Sequence, residues 1–409
     1  MRYFWFYIES YVFLSKKKDN ILLFNTLDGK IIESSDPLII NMATKLKKVK
    51  NHQVIRLSNE EMSHPVIRKF VTFVRNNFMG DFFDTTLANK KPVQLLPYMK
   101  IHNDFNFLMK NESDWIGDHI IGNLYDITIY FSNNCTLDCN ICYTGYKQFS
   151  CCSKLFKDSN LKPIDFNNLF QILKHQPINV NLIGNFELVS EMQNTFDSKN
   201  YPTFNFIWLT HILNIPGQIS LLKKFSNLSL ATIITDPEDQ RSINMLNLLH
   251  NNSFSLKPIF IIQNSKTYVA AEKIIQTLNV EGFQFQPYFN ENNHDFFKSH
   301  VFIDKKDFKN SPIPFKDILK NGKVNLNYFG RLIVSNKGDI FTSFHCRKIG
   351  NIKDDLKNTI LNEFKKNTSW RILRKNYLPC KSCTYELLCP PISDLERSLG
   401  KNNLCFIKD

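Results

Sequence analysis

Cys135, Cys139 and Cys142 stand together in the stretch CTLDCNIC, directly after the apolar run LYDITIYFS. Three thiolates on one loop hold three corners of a cubane iron–sulfur cluster and leave the fourth iron open to a small molecule. A structural zinc site wants four closed ligands. Asp138, Cys151 and Cys152 are the nearby candidates for a fourth. Asp138 falls at the wrong phase of the loop, while the Cys151–Cys152 pair, nine residues beyond Cys142, stays open. A catalytic thiol would account for one cysteine and not for three.

A second group lies near the C-terminus. Cys380 and Cys383 form a Cx2C pair, Cys389 follows after five residues and Cys405 after fifteen more. Four thiols make a complete tetrathiolate set, which zinc would also fit.

The elements that must position these groups are legible from pattern. Between residues 121 and 295, six apolar strand candidates alternate with helix-like stretches. The strands are LYDITIYFS, INVNLIG, TFNFIWLT, LSLATIIT, FSLKPIFIIQ and GFQFQPYF. The helices are PIDFNNLFQILKH, ELVSEMQNTF, ISLLKKF, PEDQRSINMLNLLH and SKTYVAAEKIIQTL. The alternation predicts an α/β class with an all-parallel sheet, either an open barrel or a doubly wound sheet. Ligands of such sheets sit beyond the carboxyl ends of the strands, which is where the three-cysteine loop follows the first strand.

Residues 1–120 read differently. FWFYIESYVFL and NILLFNT are strand-like, Asp28-Gly29 is a hairpin turn before KIIES, and Ser35 or Asp36 caps a helix with Pro37 at its first position. QVIRL is a further short apolar piece, Ser58 and Glu61 have capping-box spacing, and HPVIRKFVTFVRNNF is helical. Strands followed by helices predict a small winged-helix-like unit, joined to the cysteines through PVQLLPYMKI. In residues 296–409, RLIVSNKGDIFTSF predicts a hairpin turning at Asn336-Lys337-Gly338, and LNEFKKNTSWRILRKN a helix.

CTLDCNIC after the first strand of six β/α units resembles the signature of the radical S-adenosylmethionine (SAM) superfamily. The resemblance implies a partial (β/α)6 barrel. It implies a 4Fe–4S cluster on Cys135, Cys139 and Cys142, with SAM bound at the open iron and cleaved to a 5′-deoxyadenosyl radical. Ile141 stands where that family has an aromatic residue near the adenine. Gly184 and Asn185 stand at the two glycines of its Gly-Gly-Glu segment, and Phe186 at the acid. Cx2Cx5C with a distal cysteine resembles the SPASM extension of peptide maturases. It implies a closed auxiliary 4Fe–4S cluster on Cys380, Cys383, Cys389 and Cys405. The upstream GDIFTSFHCRKIGNI, with Cys346, resembles the start of a second auxiliary site. Ser393 occupies the place where its Cx3C would continue, so one auxiliary cluster is expected. His345 reads as an ordinary strand histidine. The N-terminal unit resembles leader-peptide recognition domains. The opening YFWFYIESYVFLS, LLFNTLDGK, FMGDFFD and KPVQLLP resemble a Bacteroidales-type peptide-maturation group that includes pseudo-radical-SAM/SPASM proteins. The implied activity is modification of a ribosomally made precursor peptide, with an electron donor such as ferredoxin or flavodoxin and a sister maturation enzyme as further partners. The alternative is a catalytically degenerate maturation partner.

Composition sets bounds. With 409 residues and 43% hydrophobic residues the chain can build several cores. The net charge of +13 has no dense basic block behind it, so nucleic acid is not an expected partner. No apolar run reaches the ~18 residues of a membrane span, and no export signal precedes the first strand. A cytoplasmic protein is expected, in which clustered cysteines are metal ligands or redox thiols more often than disulfides. No GxGxxG, P-loop, GxSxG or HExxH occurs, which leaves nucleotide hydrolysis, serine-hydrolase chemistry and zinc proteolysis without support.

Overall fold

The computed structural model describes residues 2–88, 90–97, 121–131, 135–152, 154–156, 161–191, 200–225, 227–252, 254–366 and 369–407. The later part of the connector, and the end of the helix expected over ELVSEMQNTF, lie outside them.

The N-terminal strands form two three-stranded antiparallel sheets. The opening run breaks at Glu9 and Ser10 into β1 (Tyr3–Ile8) and β2 (Val12–Lys16). Next come β3 (Ile21–Asn25), β4 (Ile31–Ser34), β5 (Val54–Ser58) and β6 (Gly80–Asp84). The pairing orders are β5-β1-β6 and β2-β3-β4. Asp36 caps the helix Pro37–Leu46 by accepting from the Leu38 N–H, and Ser58 and Glu61 form the expected capping box. The strand β6 supplies a sheet edge that patterning had not marked as a strand. Phe6, Ile8, Leu14 and Leu23 pack with Ile39, Met42, Val71 and Val74 from two helices into one core.

β3 is buried along its whole length because each of its faces meets a different core. Leu23 joins the core just described, whereas Leu22 and Phe24 pack with Phe308, Ile318, Cys383, Tyr385 and Cys389. Gly29 makes the approach of the two regions possible. Its φ is +73°, and a Cβ there would lie 2.4 Å from the Ser311 nitrogen. Lys17 pairs with Glu386, and Lys305 with Glu33 at 3.0 Å, along the same seam.

The remaining strands make one nine-stranded sheet. β7 (Asp126–Tyr130), β8 (Ile178–Ile183), β9 (Phe204–His211), β10 (Leu228–Ile234), β11 (Leu256–Ile262) and β12 (Gln284–Pro287) lie side by side in chain order, all parallel. A doubly wound sheet reverses direction at a switch point; this one does not, so the open singly wound arrangement is the one adopted. On the other side of β7 runs β13 (Arg331–Val334), parallel to it, followed by β14 (Asp339–Phe341) and β15 (Gly350–Asn351) in antiparallel pairs. The expected hairpin is therefore continuous with the parallel sheet. The helix expected over LNEFKKNTSWRILRKN instead spans Leu356–Lys366, and Arg374–Asn376 is a separate 3-10 turn.

Strand alternation gives the sheet two distinct faces. Ile129, Leu182, Trp208, Leu230 and Phe260 point to the helices. On the other face, Tyr130, Ile183, Leu209, Ile233, Ile261 and Tyr288 form an apolar layer near the carboxyl ends, packed with Ile141, Cys151 and Cys152. Toward the strand starts the same face turns polar: Asn181 donates to the Asp126 carboxylate at 3.0 Å, and Asn205 to the Asn179 carbonyl at 3.0 Å. Among the described residues no helix is long and apolar enough to cross a membrane.

Because β3 serves two cores, Phe24→Ala is expected to remove about 3–5 kcal/mol of stability. Urea denaturation followed separately by tryptophan fluorescence and by circular dichroism should show both signals moving to lower urea.

Candidate metal and cofactor site

The three-cysteine loop leaves β7 and crosses the inner face of the sheet to its far edge. There Gln148 behaves like a strand residue: its side-chain amide donates to the Phe289 carbonyl at 2.9 Å, and its carbonyl accepts the Phe289 N–H at 2.9 Å. Thr144 and Tyr288 share a hydroxyl hydrogen bond of 2.8 Å. The His345 ring meets the Lys147 carbonyl at 2.9 Å and Ser398 at 3.1 Å, so it sits in a loop contact rather than in a strand. Tyr146, Phe156 and Phe344 close over Tyr130 with ring centroids 4.5–5.8 Å apart.

None of the ten cysteines is in a disulfide. The Cys139 thiol donates to Cys142; that bond, with the nearby Lys154 charge, pulls the Cys142 thiol down to about 6 and pushes Cys139 up. Asp138 is turned to solvent and lies 3.6 Å from Lys154. Cys135 lies 3.5 Å from the Asn214 side-chain amide. Ile141, beside Cys142, is buried in the apolar inner layer.

Cys135 also opens onto a cleft of about 280 Å³ lined by Thr136, Gly184, Asn185, Glu187, Thr210 and Gln218 among others. Gly184 and Asn185 thus meet Cys135 there, whereas Ile141 stands apart, under the loop. The turn after β8 depends on Gly184, whose φ of +137° is open to glycine and strained for other residues. Its carbonyl accepts the Trp208 indole N–H at 3.1 Å. Phe186 packs in the core, 4.5 Å from the Trp208 ring, and both rings also border the cleft. The acid facing the cleft is Glu187, one residue later than alignment by motif would put it. Glu187, Asn214 and Gln218 carry no spacing signal, because the segments after two different strands, β8 and β9, bring them together.

His211, at the end of β9, is fixed in one tautomer. Its Nδ1 accepts the Leu213 N–H at 3.2 Å, so its Nε2 donates to Thr235 at 3.0 Å. Burial holds its imidazole down to about 4.

Cys380, Cys383, Cys389 and Cys405 line one small cavity with Arg374 and Glu386. Arg374 is buried and paired with Glu396 at 3.0 Å, and it donates to the Asn402 carbonyl at 2.9 Å and to the Cys380 sulfur at 3.9 Å. Burial raises the Cys380 and Cys389 thiols, and the Arg374 charge opposes that rise. Ser393, where a further cysteine had been looked for, caps the helix Asp394–Ser398 and forms a capping box with Glu396. Cys346 accepts from Arg397 at 3.1 Å.

Among the described residues no three His, Cys, Asp or Glu side chains are already arranged as a ligating set. The chemistry of the donors nevertheless fits soft metal centres. Four thiols line one small cavity beside a fixed cation, and of the three loop thiols Cys135 borders a polar cleft. A bound metal would deprotonate thiols that burial otherwise keeps neutral.

No family model matches the chain, and neither does any curated protein. Among solved structures, the crystal structure of Streptococcus suis SuiB bound to S-adenosylmethionine is similar. Its TM-score is 0.51 at 12% identity, over 99% of each chain. At that identity the likeness is one of fold: a mixed α/β chain with a large parallel sheet.

Two outcomes are expected here. Gly184→Ala should cost about 1–3 kcal/mol through backbone strain, read as a lower urea midpoint. His211 binds a proton near its ordinary 6.5 when unfolded and only near 4 when folded. Its contribution is therefore present above pH 6.5 and lost as pH falls toward 4. The stability of wild type relative to His211→Gln, measured by urea denaturation between pH 7.5 and 4, should shrink across that window.

Proposed function

We propose that the chain is a radical S-adenosylmethionine peptide maturase, acting on a ribosomally made precursor peptide in the cytoplasm. The observation that carries this reading is the double role of Cys135, which belongs to the three-thiol loop and also borders the cleft at Gly184 and Asn185. A group held by those thiols would lie against whatever the cleft binds. When bound, a 4Fe–4S cluster and S-adenosylmethionine together supply the electron and the 5′-deoxyadenosyl radical that abstracts hydrogen from the peptide.

The chain's own residues do the positioning. Cys139 and Cys142 hold the second and third corners. The backbone around Gly184 and Asn185, which lines the cleft, offers hydrogen bonds to an amino acid-like ligand, and the Glu187 carboxylate accepts from an ammonium group. Asn214 and Gln218 present amides to polar groups. The apolar layer from Tyr130 to Tyr288, closed by Ile141, keeps water from the inner face beneath the loop.

Three units divide the work in this reading. Residues 1–120 comprise a winged-helix-like unit, whose sheet edges suit an extended leader peptide, and its connector. Residues 121–295 form the core, a partial (β/α)6 barrel. Residues 296–409 form a SPASM-type unit in which Cys380, Cys383, Cys389 and Cys405 hold one closed auxiliary cluster. Ferredoxin or flavodoxin would donate electrons, and a sister enzyme would be a further partner. A non-catalytic maturation partner is the second reading. It is favoured by Phe186, which fills the core where an acid was sought.

Anaerobically reconstituted, reduced protein supplied with S-adenosylmethionine should form 5′-deoxyadenosine, with iron and sulfide quantified in the same sample. Cys139→Ala should abolish that formation. A cluster-loaded wild type that forms none, with or without precursor peptide, would leave the second reading.

A further inference from the structure

One wall of the second cysteine cavity belongs to the protein surface. Pro379 and Cys380 line that cavity, and the chain around them makes two consecutive tight turns, Arg374–Asn376 and Cys380–Ser382. The Lys381 N–H donates to the Tyr377 carbonyl at 2.7 Å, which joins the two turns. Leu378, beside Pro379, is 73% exposed. Lys375 precedes it by three residues and the exposed Lys381 follows it by three.

Further cations converge on this face. Lys375 donates to the Gly322 carbonyl at 3.1 Å, which brings Lys323 beside it. Glu386, another wall residue of the cavity, pairs with Lys17 from the N-terminal region. Partial burial holds the Lys47 ammonium below its ordinary value, and Lys17 and Lys16 add to that effect. Lys375 is lowered by burial and then by Lys323 and Arg371. Glu386 opposes the fall of both lysines, but it is buried and already neutralised by Lys17. The face therefore keeps an excess of positive charge around an exposed leucine.

Ammonium groups around a small apolar contact suit an electrostatically steered complex, in which charge guides the partner in and little area holds it. Electron-transfer encounters are of this kind and have small interfaces. Electron transfer also weakens steeply with distance, so a donor gains by docking where a redox centre comes nearest the surface.

We propose that the face built from Lys17, Lys375, Leu378 and Lys381 docks an acidic one-electron carrier protein. This rests on the cluster reading above. Each encounter passes one electron from the carrier to the group held by the four thiols, and no atom or bond is transferred. The carrier is oxidised by one electron and leaves, which a weak, salt-sensitive contact permits.

The test uses flavodoxin as the carrier and full-length, anaerobically loaded protein. It reads flavodoxin affinity by calorimetry at low and at high salt. It also reads 5′-deoxyadenosine formation driven either by reduced flavodoxin or by dithionite, a small reductant that needs no docking. Wild-type affinity is expected to fall as salt rises. Lys375→Glu combined with Lys381→Glu, and separately Leu378→Ser, should weaken affinity several-fold and slow the flavodoxin-driven reaction, with the dithionite-driven reaction as in wild type. Lys266→Glu combined with Lys273→Glu makes the same charge change on the helix Ser265–Leu278 and should alter neither. Equal flavodoxin affinity in the two double variants would overturn the docking. So would a loss confined to binding of the precursor peptide, which would make the face a peptide site. If wild type forms no 5′-deoxyadenosine with dithionite either, the radical reading fails and the docking falls with it.

Discussion

The loop after β7 is strapped to the far edge of the parallel sheet, and the rest of the site depends on that strap. The loop leaves β7, inside the sheet between β8 and β13, and has no reason of its own to reach the edge at β12. Gln148 supplies the reason by offering the Phe289 backbone the two hydrogen bonds a neighbouring strand would have offered. Neither backbone group is left unsatisfied over an apolar layer, where the cost would be about 1–3 kcal/mol each. Thr144 and Tyr288 add a hydroxyl bond beside it. The cysteines are thereby held over the carboxyl ends of the strands instead of trailing from β7.

The inner face is graded in the same direction. Asp126, Asn179, Asn181 and Asn205 make it polar where the strands begin, and the layer from Tyr130 to Tyr288 makes it dry where they end. Arg331 lies 3.9 Å from Asp126 and offsets the burial that raises that carboxyl group. Charge is balanced at one end of the sheet, and thiols gather at the other. Low polarity around sulfur strengthens the interaction of thiolates with a metal cation as much as it disfavours bare thiolates.

The six parallel strands were legible because each is a short apolar run bounded by polar or turn residues, and their helices obey a different period. The turn at Asp28-Gly29 and the cap at Ser58 were legible because they use local chemistry. What resisted reading depends on distant partners. Patterning had Phe186 as a lost acid, since a motif cannot show that Trp208 would take the ring into the core while Glu187 turns to the cleft. His345 looked like a strand residue because its partners, Lys147 and Ser398, are remote in sequence. The order of the sheet was left as two alternatives, because alternation of strand and helix is common to both and only pairing distinguishes them.

The strand β3, buried on both sides, makes the amino-terminal region and the second cysteine cavity parts of one solid. Leu22 and Phe24 are wall material for Cys383 and Cys389, while Leu23 belongs to the opposite core. An exchange of the first hundred residues for those of another chain would therefore not be modular. The donor would have to bring side chains that fit beside those two thiols as well as strands that fit its own helices. Inheritance of the two ends should be linked, and a change of the amino-terminal region should drag the cysteine-rich end along with it.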